Sequence, residues 1–416
     1  MDNQGEWDTR YEWKAVVLLA LGFGLVGVDR FLILPMFPVM MKELHLGYAD
    51  LGHITGILAI TWGIASLFMG RLADRVGRIR VVVWSMVAFS LLAGFSGLVH
   101  GLVGLLIIRA LLGFAEGAYT PPSITATLEA SKPTRHGLNL GLQQAAMPLF
   151  GLAIAPIIVT QLRVMDWRWI FFLVSVPGLI VALLLRKTLR ESAERRLQTV
   201  DARLPAMHGA PPRWNEILRY RNVPLNMLGM LCWLTCLMVS SALMPNYLMD
   251  HLHLTLQQMG LVMSALGFGA TLGTIVMPAL SDRLGRKPVM LVSVLAAIGF
   301  MIALIQTGAD PLRLFGLLFG TCFFNFALIC LTVGPLTAEA VPAELRASAS
   351  GAVVGVGEIF GGGIAPAIGG YIAAGYGIQY IPWLAIGGLI LGIGVVIFLK
   401  ETAPAPAPPK VIGALS

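Results

Sequence analysis

The stretch Gly70-Arg71-Leu72-Ala73-Asp74-Arg75-Val76-Gly77-Arg78 sets a dense run of charge between two long apolar segments. It returns as Ser281-Asp282-Arg283-Leu284-Gly285-Arg286-Lys287, with Asp282 falling 208 residues after Asp74. Half of 416 is 208, so the chain repeats itself once over its whole length. Other echoes keep the same offset: Leu44-His45-Leu46 becomes Leu252-His253-Leu254, and Leu51-Gly52 becomes Met259-Gly260. At a slightly larger offset Leu189-Arg190-Glu191-Ser192-Ala193 matches Leu399-Lys400-Glu401-Thr402-Ala403.

Around these copies the chain is apolar. It is 57% hydrophobic and 12% charged, against about 25% charged in an ordinary soluble domain, and its mean hydropathy is +0.80. A soluble fold of this length cannot hide that much apolar surface. A cytosolic enzyme, a disulfide-stapled secreted module and a disordered chain are excluded. Twelve runs reach the roughly 20 residues that a bilayer core demands of a helix: about 13–41, 50–71, 79–99, 102–127, 136–161, 167–186, 223–249, 256–280, 288–307, 311–335, 347–374 and 379–399. The expected fold is all-α: twelve transmembrane helices in two pseudo-symmetric six-helix bundles. Residues 1–186 form the first bundle, 187–222 a cytoplasmic linker, 223–400 the second bundle and 401–416 a flexible Pro-rich tail. The charged stretches then occupy the short loops after helices 2 and 8.

Charge position fixes the orientation. Of 29 Lys and Arg, only Lys42, Arg163, Arg168 and Arg313 fall in the loops of one side, while Arg30 and Arg109 lie within helices; all others lie on the opposite side. That side is cytoplasmic and holds both termini. The net charge of +7 is therefore a topology signal and no nucleic-acid partner is expected. Cys232, Cys236, Cys322 and Cys330 lie in apolar runs and read as buried free thiols. No cleavable signal is evident, because the first apolar run continues far beyond a signal-peptide core.

Five ionisable residues sit at membrane depth, where each costs about 2.5–3.5 kcal/mol on insertion scales. Asp29 and Arg30 lie near the middle of helix 1, Arg109 and Glu116 in helix 4, and Glu358 in helix 11, roughly 18 Å beyond the loop residue Arg346. Arg109 and Glu116 are seven apart and share a face, about 10 Å apart along the axis. Asp29 and Arg30 point about 100° apart; one arrangement turns Asp29 toward Arg109 and leaves Arg30 in a cavity. Asp29, Glu116, Arg30 and Arg109 sum to zero charge. A buried cluster that only fixes helix packing is the bland alternative, but such clusters are weak stability devices. At offset 208, Leu237 and Met238 stand opposite Asp29 and Arg30, with Phe319 and Phe326 near the counterparts of Arg109 and Glu116. The first half thus carries the charge.

The paired charged loops resemble the signature loop of the major facilitator superfamily, and the resemblance extends over the chain through helix count, halves and loop position. It implies that Gly70, Asp74, Arg75 and Arg78, with Asp282, Arg283 and Arg286 in the second copy, form a latch on the cytoplasmic side. Pro278 departs from that pattern, standing where the first copy has Gly70. The Asp-Arg pair of helix 1 with the Arg and Glu of helix 4 resembles the anion:cation symporter branch. By that resemblance Arg30 holds a substrate carboxylate, Arg109 partners Asp29, and Asp29 and Glu116 carry the coupled proton. The branch's helix 5 glutamine falls by spacing near Ala146–Met147, whereas Gln143 and Gln144 lie one turn earlier.

The function expected is proton-coupled uptake of a small organic anion by alternating access. The candidate substrate residues are Arg30, Arg109, Gln143, Gln144 and Asn325, with Asp29, Glu116 and Glu358 for the proton. Trp233, Tyr247 and Ser264 could also line the cavity; packing is the alternative for each. A drug/proton antiporter exporting lipophilic compounds is the rival, and a transporter-like sensor a third possibility. No nucleophile elbow, phosphate-binding lysine loop, zinc helix motif or Cys/His metal spacing occurs, so neither an enzyme nor a metal site is expected. No cofactor is expected, and the energy source is a proton gradient. Partners are the anion, protons and the lipid bilayer, the chain acting as a monomer in a bacterial inner membrane.

Overall fold

The computed structural model describes residues 8–132, 135–162, 165–190, 214–342 and 345–402. Most of the expected linker, Arg163 and the tail from Ala403 lie outside the described residues, as do the side chains of Arg71, Asp74 and Arg75 and the surroundings of Gly70. Twelve long helical segments follow one another: α1 Thr9–Glu43, α2 Tyr48–Val76, α3 Arg78–Phe95, α4 Leu102–Ala130, α5 Leu138–Gln161, α6 Trp167–Thr188, α7 Asn222–His251, α8 Leu256–Leu284, α9 Arg286–Gln306, α10 Pro311–Ala338, α11 Ala349–Gly375 and α12 Ile378–Phe398. Eleven of them, all but α2, meet both length and apolarity requirements for crossing a membrane. With no water in the bilayer to satisfy backbone groups, continuous helices are what such runs form.

Most helix ends fall within a few residues of the sequence expectation, but the charged motif corrects it. Gly70 to Val76 is not a loop: α2 runs straight through it and stops only at Gly77, with φ 112°. Likewise α8 continues to Leu284 and breaks at Gly285, with φ 94°. Pro278 lies inside α8 without ending it, and both helices stop at a glycine, the residue that takes this positive φ without penalty. The repeat is visible in the backbone too. Among the described residues, the non-glycine residues with positive φ are His45 (53°) and His253 (55°), which occupy equivalent places in the two copies.

Prolines shape the helices around the centre. A turn at Leu32 separates Thr9–Phe31 from Ile33–Glu43 within α1, with Pro35 just beyond it. Both α5 and α11 contain a wider π-helical stretch, at Leu149–Ile154 and Gly357–Ile364 respectively. α2 packs against α4 and α11, and α8 against α10 and α5. The pairs α2–α11 and α5–α8 therefore join the first six helices to the last six.

That junction is closed on the outer side. Tyr48 Oη donates to Asp250 Oδ2 at 2.8 Å, and His53 Nε2 lies 2.9 Å from Tyr371 Oη. Both pairs link the first six helices to the last six. On the cytoplasmic side, hydrogen bonds among the described residues stay within one set of six: Glu12 accepts from Arg135 and Asn139, and Arg286 donates to Glu339.

Candidate substrate and proton site

Arg30 stands at the centre of this junction. Its Nη2 lies 2.6 Å from Glu358 Oε2, with the two side chains only 4% and 8% exposed. The guanidinium also lies over the rings of Trp62 and Phe31, 5.3 and 5.6 Å from their centroids. Met238 Sδ is 4.0 Å from the same nitrogen. Met238 is the repeat counterpart of Arg30, so the two equivalent positions meet across the pseudo-symmetric interface. Glu358 is carried by the π-helical stretch of α11, a local widening that frequently marks functional sites.

Arg109 and Glu116 both point inward from α4 and are buried, as their spacing requires. The expected pairing of Arg109 with Asp29 takes a different form: Arg109 Nη1 donates to the Asp29 backbone carbonyl at 3.0 Å, not to its carboxylate. Arg109 Nε and Nη2 and both carboxylate oxygens of Glu116 have no hydrogen-bond partner among the described residues. Arg30 and Arg109 bear electrostatically on Glu116, and Glu116 and Arg109 on Asp29. Two cations and three carboxylates thus share one buried region. A cavity of about 20 Å³, bordered by Arg30, Arg109, Thr55 and Ser241, lies within it, room for about one water.

The remaining candidates separate. Gln143 is buried and donates to Ser123 Oγ at 3.1 Å, with its Oε1 unpartnered. Gln144 is exposed, since adjacent helix residues point about 100° apart; the two glutamines do not act as a pair. Asn325 is buried and donates to the Trp233 carbonyl on α7 at 3.1 Å, a contact within the last six helices. Trp233 itself donates to Thr332, Ser264 turns back onto the Leu261 carbonyl, and Tyr247 is buried against His251.

In the cytoplasmic motifs, Arg286 pairs with Asp282 one turn earlier and with Glu339 at 2.9 Å. Its backbone N–H donates to Glu401. The equivalent Arg78 pairs with Glu129. Arg283 is exposed. Glu129, Glu339 and Trp62 went unmarked in the sequence: acids at helix ends look topogenic, and an indole in an apolar run carries no signal of its own.

The Major Facilitator Superfamily model matches residues 19–359, with a second match over 237–414. The chain belongs to the Major Facilitator Superfamily. It is 28% identical to the sialic acid transporter NanX of Escherichia coli, the alignment covering 88% of each chain. It is likewise 28% identical to the 3-(3-hydroxy-phenyl)propionate transporter of Escherichia coli, over 87% of this chain and 86% of that one. A bacterial homolog to the human lysosomal transporter Spinster, solved in an inward-facing and unoccupied conformation, shares the fold with a TM-score of 0.70 at 18% identity, covering 94% of this chain and 95% of that one. This member of the superfamily is accordingly an integral inner-membrane transporter and not an enzyme, and the two relatives just named are transporters of sialic acid and of 3-(3-hydroxy-phenyl)propionate.

Proposed function

We propose that this protein takes up a small organic anion together with protons, and that Arg30 holds the anion's carboxylate. The observation that carries this reading is the buried contact between Arg30 and Glu358. A guanidinium on one side of the junction already grips a carboxylate from the other, and a substrate carboxylate would compete for the same two-pronged fork. The relatives named for sialic acid and an aryl propionate support a carboxylate cargo.

Charge balance supports the coupling. Arg30 and Arg109 face Asp29, Glu116 and Glu358, so one proton makes the empty site neutral. Glu116, whose two oxygens have no hydrogen-bond partner among the described residues, holds that proton, because an ionised carboxylate buried without hydrogen bonds is costly. When a substrate carboxylate takes Arg30, a second proton passes to Glu358 and the site stays neutral. One proton then enters with each monovalent anion. Release of Arg30 from Glu358 also unties α1 from α11, which links binding to movement of the first six helices against the last six.

A thermal-shift screen of purified protein against carboxylates and lipophilic cations at two pH values tests the cargo, since binding to the folded state stabilises it as RT ln(1 + [L]/Kd). Stabilisation by carboxylates that vanishes in Arg30→Ala is expected. Stabilisation by lipophilic cations alone would move the protein to the antiporter reading.

A further inference from the structure

A groove of about 810 Å³ opens on the membrane-facing surface between α3 and α6, away from the substrate site. Arg80, Arg186 and Arg190 line its cytoplasmic end, and Val83, Trp84 and Val87 continue it toward the membrane interior. Arg80 is the third residue of α3, and Arg186 lies in the last turn of α6. Both guanidinium groups therefore stand at headgroup depth. Val83 and Val87 follow along the same helix about 5–10 Å deeper. Trp84 is 66% exposed, as befits an indole at the membrane–water interface.

This positive charge is only partly neutralised among the described residues. Among the described residues neither Arg80 nor Arg186 forms an ion pair. Arg190 reaches Asp8 at 3.3 Å, with both side chains more than half exposed, and rests over the Tyr11 ring. Residues 191–213, which follow directly and lie outside the described residues, contain four Arg against three Asp and Glu, so their composition adds no net negative charge. The repeat provides an internal comparison: Pro288 occupies the place of Arg80. The equivalent corner of the last six helices is closed by Lys287, which donates to the carbonyls of Ile397 and Leu399. Pro288 and the Lys287 contacts thus distinguish this corner of the last six helices from the cationic groove of the first six.

We propose that this groove binds an anionic phospholipid of the cytoplasmic leaflet, its phosphate held by Arg80, Arg186 and Arg190 and one acyl chain lying along Val83, Trp84 and Val87. Guanidinium forks match phosphate oxygens, and basic pockets between transmembrane helices on the cytoplasmic side suit acidic headgroups. A soluble anion would use the arginines but leave the apolar floor uncovered.

The test is lipid retention by the full-length protein in mixed phosphatidylglycerol–phosphatidylcholine nanodiscs, read by native mass spectrometry after release into detergent. Phosphatidylglycerol should be kept in preference to phosphatidylcholine. The Arg80→Gln/Arg186→Gln double variant should lose that preference by roughly 30-fold, while the Arg80→Lys/Arg186→Lys double variant keeps most of it. Val87→Trp, which fills the floor and leaves the arginines in place, should also weaken retention. Equal retention of both lipids by the unaltered protein would overturn the proposal. So would an unchanged preference in the Gln/Gln variant, or full displacement of the lipid by glycerol phosphate, which would make the site a soluble-anion site.

Discussion

The Arg30 guanidinium and the Glu358 carboxylate meet at 2.6 Å although 328 residues separate them, and they come from helices on opposite sides of the junction. The contact lies between the substrate candidates and the moving interface. On the proposed reading a substrate carboxylate competes with Glu358 for Arg30, which would couple binding to the tie between the two sets of helices.

The geometry of the fork sets the first expectation. Arg30→Lys keeps the charge and loses the two-pronged donor, while Arg30→Ala loses both. Carboxylate affinity should fall roughly 10- to 100-fold in the lysine variant, the range of a charge-assisted hydrogen bond, and beyond measurement in the alanine variant. Titration calorimetry on purified protein measures it, and unchanged affinity in either variant removes Arg30 from the site.

Glu358→Gln leaves Arg30 buried with no charged partner. Removing one member of a buried pair costs about 3–5 kcal/mol, so the melting temperature should drop clearly. A saturating carboxylate should restore much of the loss by refilling the fork. A variant that melts like the parent, or that carboxylates do not rescue, would show that Glu358 and substrate do not share Arg30.

Glu116 keeps its proton throughout the proposed cycle, so the neutral mimic Glu116→Gln should retain accumulation driven by a proton gradient. Glu358→Gln, which removes the group that gains the second proton, should abolish it yet keep substrate exchange in preloaded vesicles. A proton moves an equilibrium only through differential affinity for its two states, and Glu358→Gln removes that difference. Retained accumulation in Glu358→Gln, or its loss in Glu116→Gln, would pass the coupling role to Glu116 or Asp29.

Outer closure depends on small residues at the junction. A Cβ placed on Gly267 would lie 2.0 Å from the Ala153 backbone nitrogen, and one on Gly52 2.7 Å from the Ala367 Cα. Both clashes cross the junction between α5 and α8 or α2 and α11. Gly267→Ala and Gly52→Ala should therefore hold the outer side open, stopping net transport while outside binding persists. Labelling of a cysteine placed beside Asp250 reports the opening; unchanged labelling with normal transport would contradict it.

The helices were legible because a bilayer demands long apolar runs, and Asp29, Arg30, Arg109 and Glu116 because charge inside such runs is rare. The ends of α2 and α8 were not, since Gly77 and Gly285 stop them by backbone dihedral while hydropathy had already fallen. The split between buried Gln143 and exposed Gln144 depends on the rotational phase of α5, which a nearby π-helical stretch alters. The Arg109 contact escaped because a backbone carbonyl, here that of Asp29, has no signature in side-chain sequence. Arg30 and Glu358 could each be marked as candidates, but their pairing exists only once the two sets of helices close on each other.

The most direct test is uptake of labelled carboxylates, sialic acid and 3-(3-hydroxyphenyl)propionate among them, into proteoliposomes with an alkaline interior and the membrane potential clamped to zero. Accumulation driven by the pH gradient alone, unchanged when a potential of either sign is imposed, and absent in Arg30→Ala, is the result expected of one proton per monovalent anion. Accumulation that follows the potential and ignores the pH gradient, or that persists in Arg30→Ala, would contradict it.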